Sequence, residues 1–424
     1  MQTRLSFAAT ITWLCLVLSA NAAAQLVRQS YEAEPALEAA DLLPRVLLRS
    51  GNHHVANEVE LAGHTVTFRI ESDFGLYRPR SISLAVLRIH EIGVLAQAVD
   101  QFRRANVRVG EQLRGRLEVG AESFVDILTS PFSTASNVVG QFSSNVGKTV
   151  EELGDFPDPR AKTRTGTIYQ RFEPDDPVVA AHKRSIGRQL GLDVYSSNPR
   201  VQDFLNTVAV ARSSGHSSAG VLSVSLPRKV RVRIAGGRVD TAIDGALYRM
   251  STHELAQYNE GRLAALGVAR VLRAGFLAQP ALSPRHRTAI VAYLDFLRGV
   301  AHPEALIEAA LDARDEVGAL SVVAIARMLA RYHDTVSPLR ELLPAGRVLL
   351  AVSDEQTLVI ALPYDLLYWN AQSDRTFAGV ADYAAARGYR RRVLLTTGVL
   401  TPRARRQLAQ RGYQIHERYL LNGD

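Results

Sequence analysis

The sequence predicts an α+β fold with a small N-terminal sheet and long helix, a central helical bundle, and a small C-terminal α/β layer. Three observations carry this. Apolar residues alternate with polar ones at 58–70, then take helical spacing from Ser81 to Phe102. Capped helical patterns joined by short loops fill Thr252 to Val336. After residue 346, β-branched runs and helical stretches follow in the order β-β-α-β-α-β.

The chain opens with Met-Gln-Thr-Arg, an apolar run from Leu5 to Ala20, and Ala20-Asn21-Ala22 followed by Ala23-Ala24. A charged head, an apolar middle and a small-residue exit are the marks of a cleavable signal peptide over 1–24, with the cut after Ala22 or Ala24. The expected location is a bacterial periplasm, or secretion. Cys15 is the single cysteine and leaves with this segment, so the mature chain would hold its fold by burial alone. No later stretch reads as long and apolar enough to span a bilayer. A net charge of +8, with 50 Lys and Arg against 42 Asp and Glu, favours anionic partners. Export points away from nucleic acid and toward an anionic membrane surface or a protein partner. Nothing in the sequence asks for a cofactor or a metal.

In the N-terminal unit, 25–118, an irregular, partly helical lead-in precedes the strands. Val59 and Leu61, then Val66, Phe68 and Ile70, alternate with polar residues, and Asp73-Phe74-Gly75 makes a turn. Leu84, Leu87, Ile92, Leu95, Val99 and Phe102 form the helical stripe, which leaves Arg88, Glu91, Asp100, Arg103 and Arg104 on an expected solvated face.

Residues 119–177 combine a small-residue amphipathic segment with a Pro/Asp-rich linker. Gly140, Gly147 and Gly154 recur at seven-residue spacing among Phe124, Phe132 and Phe142. Glycine on a helix face permits close backbone approach but costs about 1 kcal/mol of helix stability against alanine. These six residues are the candidate membrane or partner contact. Phe156-Pro157-Asp158-Pro159 and Glu173-Pro174-Asp175-Asp176-Pro177 read as a domain boundary, where limited proteolysis is expected to cut first.

The mainly helical domain is expected over 178–344. Helices are predicted at Val178–Leu190, closed by Gly191, and at Pro199–Ala211, opened by Asn198-Pro199. Between and beside them, Lys183-Arg184 and Leu190-Gly191-Leu192-Asp193-Val194-Tyr195-Ser196-Ser197-Asn198-Pro199 resemble a motif of uncharacterised exported proteobacterial proteins. Leu263–Val268, Ser283-Pro284-Arg285-His286, Arg331-Tyr332-His333 with Pro338-Leu339, and Thr396-Thr397-Gly398 extend the resemblance over most of the mature chain. It implies a whole exported architecture and supplies no catalytic residue. Val221–Ile234 predicts one or two further strands.

The last unit, 345–424, reads as strands at Arg347–Val352 and Thr357–Leu362 around the turn Ser353-Asp354-Glu355-Gln356. A helix at Phe377–Ala386, a strand at Arg392–Thr397, a helix at Pro402–Arg411 and a strand at Gln414–Tyr419 complete it.

No nucleophile elbow, phosphate loop or zinc-protease helix is present, since Gln257 stands where His253-Glu254 would need its second histidine. Ser213–Ser218 puts serines beside His216, but adjacent loop residues lack triad geometry. His53-His54 lacks a spaced third ligand, and His333-Asp334, with His302 upstream, is a dipeptide that a helix end explains. The best candidate site follows a strand: Thr396, Thr397, Gly398, Thr401 and Arg403 offer hydroxyls, amides and charge to an anion at a helix start. The leading expectation is a non-enzymatic, membrane-surface or partner-binding envelope protein. The alternative is an exported hydrolase-like enzyme with its site in the C-terminal α/β unit.

Overall fold

The computed structural model describes residues 31–110, 172–213, 238–345 and 348–420. The architecture is mixed α+β. Two short helices, α1 (Ala39–Leu42) and α2 (Arg45–Leu48), lead into five three-residue strands. Strand β1 (His53–Val55), β4 (Ile70–Ser72) and β5 (Gly75–Tyr77) form an antiparallel sheet in the order β1-β4-β5. Strands β2 (Glu60–Ala62) and β3 (Thr65–Thr67) form a separate hairpin. The expected alternation is present: Val66, Phe68 and Ile70 are buried.

Helix α3 (Ile82–Gly110) follows. Its segment Ile82–Asp100 is long and apolar enough to cross a membrane, which corrects the expectation that no such stretch exists. Most of that segment is buried inside the protein, as a core helix would be. A second correction concerns its polar residues. Arg88 and Glu91 are not solvated but buried, Glu91 at 1% exposure, because other elements bring partners to them. Asp100 is exposed as expected.

The helical part contains α4 (Pro177–Leu190), α5 (Pro199–Ser213), α6 (Arg238–Arg249), α7 (Thr252–Ala265), α8 (Arg270–Ala278), α9 (Pro284–Phe296), α10 (Glu304–Leu311) and α11 (Glu316–Thr335). Local chemistry sets their ends. Asp176 caps α4, with Pro177 at its first position, and Gly191 closes it at φ 69°. Ser251 and Ser283 close capping boxes on α7 and α9. Helix α9 lies at the centre, against α6, α7 and α11. The strands expected at 221–234 lie outside the described residues.

The C-terminal sheet has five strands: β6 (Leu339–Ala345), β7 (Val348–Ser353), β8 (Thr357–Leu362), β10 (Arg391–Thr396) and β12 (Tyr413–His416). Their order is β12-β10-β8-β7-β6. Strands β6, β7 and β8 form an antiparallel meander, while β8, β10 and β12 run parallel. Helices α12 (Ala371–Ala386) and α13 (Pro402–Gln410) make the parallel crossovers. A small parallel pair, β9 (Leu366–Leu367) with β11 (Val399–Leu400), flanks the sheet. Strand β6 was not expected, and the boundary placed at 344/345 falls inside its hairpin with β7. Arg340, Glu341 and Pro344 obscure its pattern, and a proline is tolerated there because β6 ends the sheet.

Both faces of the sheet are covered, which explains the near-continuous apolar runs. Leu350, Val352, Leu358, Ile360 and Leu394 meet α12 and α13 in one core. Leu349, Ala351, Val359, Ala361, Val393 and Leu395 point the other way. They join a single core that runs from Ala39 through the helices to Tyr419.

Candidate functional site

The segment between α4 and α5, residues 191–198, is turned inward by the fold. Gly187 on α4 permits the return of the chain, since a Cβ there would overlap the Val194 side chain. Ser196 donates to Glu91 Oε1, and Asn198 Nδ2 donates to Glu91 Oε2 at 2.9 Å. Arg88 donates from Nη1 to Glu91 at 2.9 Å and from Nη2 to Glu316 at 2.8 Å and to Ser197. Burial alone would weaken the Arg88 charge, but Glu91 and Glu316 outweigh it and hold the guanidinium protonated well above its usual range.

A second set adjoins it. Lys183 Nζ donates to the Phe172 carbonyl and to Gln202 Oε1, each at 2.7 Å. Burial pulls its ammonium down to about 7, against the opposing charges of Glu173, Asp193 and Asp203. Asp193 pairs at 3.0 Å with Arg285, which also reaches Asp244 at 3.0 Å. Burial lowers His286 to about 4, and its Nδ1 accepts the Ser283 amide at 3.2 Å as part of the α9 cap. Residues 183–199 and 283–286 thus come together in a largely buried polar cluster that joins α3, α4, α5, α9 and α11.

An open groove of about 640 Å³ lies at the start of α4 and α7. Glu173, Asp175, Pro174, Arg184, Thr252 and His253 are among its lining residues. Glu173 is held there by Arg184 and by the Thr252 amide at 2.9 Å, so its carboxylate stands at the α7 N-terminus.

The loop after β10 is built otherwise than an open anion cradle. The Thr396 and Thr397 hydroxyls both donate to the Tyr364 carbonyl at 3.1 Å, and the Gly398 amide donates to the same oxygen at 2.8 Å. A Cβ on Gly398 would overlap the Asp365 backbone, so glycine is required for close approach. Thr401 caps α13 by accepting the Ala404 amide at 3.1 Å, and its hydroxyl donates to Glu32 at 2.7 Å. Arg403 reaches the Tyr31 carbonyl at 3.4 Å. The fold therefore places a carboxylate at this helix start, and it is the chain's own.

The six candidate contact residues Phe124, Phe132, Gly140, Phe142, Gly147 and Gly154 lie outside the described residues, as does most of Ser213–Ser218. His53 is tied to Ser50 and the Leu47 carbonyl, and His333 accepts the Leu339 amide. Among the described residues no cluster of three metal-ligating side chains occurs. Sequence reasoning missed Glu91, Lys183 and Asp365 as buried groups. A lone carboxylate inside the apolar run Tyr364–Trp369 was the available sign for the last. No family model matches the chain, and no curated protein or solved structure shows significant similarity to it.

Proposed function

We propose that this is an exported protein of the bacterial envelope that acts by binding, presenting the 119–156 segment to an anionic membrane surface. The observation that carries the binding reading is the enclosure of residues 183–199 and 283–286. Lys183 bonds to Gln202 of α5, and Asp193 pairs with Arg285 of α9, which also reaches Asp244 of α6, while His286 closes the cap of its own helix. Of these stretches, Arg184 alone lines the described groove. Buried charges held this way specify one arrangement of helices, a role that burial without partners would make costly.

Export itself rests on the N-terminal charge, apolar run and Ala20-Asn21-Ala22. N-terminal sequencing of protein from cells should begin at Ala23 or Gln25, and an intact Met1 would remove this part of the reading. The mature protein should float with anionic liposomes at low salt, each nearby arginine adding up to about 1 kcal/mol. Deleting 121–154 should abolish flotation while leaving the C-terminal sheet folded. Failure of the intact protein to float would end the membrane reading, and crosslinking through the same segment to an envelope protein would replace it.

A further inference from the structure

Tyr31 and Glu32 rest on the α/β layer, against residues 337 to 372 positions away in sequence. Their side chains and their main chain are both engaged. Glu32 Oε2 accepts the Trp369 amide, just past β9, at 2.6 Å and the Thr401 hydroxyl at 2.7 Å. The Glu32 amide donates to the Trp369 carbonyl at 2.8 Å. The Tyr31 hydroxyl donates to Asp374 Oδ2 at 3.1 Å, and the Tyr31 carbonyl accepts from Arg403 at 3.4 Å. The Tyr31 ring packs on the core shared by the sheet, α12 and α13. The Arg411 guanidinium lies 4.5 Å from the centroid of the Trp369 ring and donates to Asp374.

The chain then leaves the layer. Ala33 and Glu34 are exposed, and the N-terminal core takes up the chain only from Leu37 and Ala39. The dipeptide is thus placed as a ligand on a short tether. Main-chain bonds hold an extended segment whatever its sequence, and side-chain bonds select among segments. Two neutral donors converge on one carboxylate oxygen, which makes both bonds charge-assisted. Asp374 offers acceptors to the ring that enters, so a ring with a hydroxyl suits it. The carboxylate is read by a strand-end amide and a side-chain hydroxyl, while the Ala404 amide of α13 is already taken by Thr401.

We propose that this end of the α/β layer is a binding site for an extended acidic peptide, a tyrosine followed by a glutamate, and that the chain fills it in cis with Tyr31 and Glu32. A peptide of that chemistry competes with the strap for the same bonds. A tether of a few residues keeps the strap at a local concentration of roughly millimolar, so the site is closed to weak ligands until the strap is withdrawn. The anion expected at Thr401 and Arg403 is then a peptide carboxylate, with Arg403 serving the neighbouring carbonyl. This goes beyond the envelope reading and needs neither export nor the 119–156 segment.

Fluorescence polarisation of a labelled peptide, Arg-Gln-Ser-Tyr-Glu-Ala-Glu-Pro, which repeats residues 28–35, tests the site. Tyr31→Ala with Glu32→Ala in the full chain vacates it. The peptide should bind this variant at least about tenfold more tightly than the unmodified protein, because no strap competes. Glutamine in place of the glutamate after its tyrosine should weaken binding about tenfold or more. Amide exchange at Trp369 should accelerate in the variant and slow again when the peptide is added. Equal affinity for the variant and the unmodified protein, equal affinity of the two peptides, or no binding to the variant at millimolar peptide overturns the proposal. Should the double variant not fold, Glu32→Gln keeps the shape of the strap. The peptide should bind Glu32→Gln more tightly than the unmodified protein, and equal affinity refutes the site.

Discussion

Glu91 and Gly398 show how much can rest on one residue. Glu91 accepts from Arg88, Ser196 and Asn198 at once. Glu91→Gln leaves Arg88 buried with less opposing charge, and should cost about 3 kcal/mol or more in urea denaturation. Gly398→Ala sets a Cβ against the Asp365 backbone, which cannot swing aside as a side chain could. Overpacking of this kind costs about 1–3 kcal/mol or more, so its thermal midpoint should drop sharply. Lys183 gives a pH test. Its folded-state value, about 7, lies below the ordinary lysine value of 10.5. The unfolded chain therefore binds the additional proton between those values, and stability rises with pH across that window by at most about 1.4 kcal/mol per unit. Lys183→Met should flatten this rise when denaturation is compared at pH 7.5 and 9.5.

Three elements begin where a carboxylate from a distant part of the chain meets them. Asp365 accepts the first amide of α3, Glu173 the first amide of α7, and Glu32 the capping hydroxyl of α13. Each contact joins the favourable field at a helix start to a tertiary link. Helix α13 is the most sensitive, because nine residues form a marginal helix on their own. Thr401→Ala should cost about 1–2 kcal/mol through loss of the cap. It also frees Glu32, which accepts the Trp369 amide at 2.6 Å. Exchange at Trp369 should then accelerate, while Thr401→Ser, which keeps the hydroxyl, should restore protection. Helix ends such as Gly191, Ser251 with Glu254 and Ser283-Pro284 were legible in the sequence because caps act within one turn. Strand β6 was not, because its stability comes from pairing with β7 and not from its own pattern.

The continuous core makes a prediction for the whole molecule. Side chains from Ala39 to Tyr419 form one cluster, and one face of the C-terminal sheet completes it. Calorimetry should therefore show a single transition with equal calorimetric and van't Hoff enthalpies, whereas two resolved transitions would show that the α/β layer melts separately. The sequence by itself determined the α+β class, the order of most elements and many helix ends, since periodicity and capping are set by neighbours in the chain. It also presented the loop after β10 as suited to an anion. Only the tertiary structure decided that Glu32 stands there, that Arg88 and Glu91 face inward, and that Asp365 spans two parts of the molecule. The physical reason is the same in each case. Whether a polar group meets water or a buried partner depends on residues that arrive from 100 to 370 positions away, and no local pattern records their arrival.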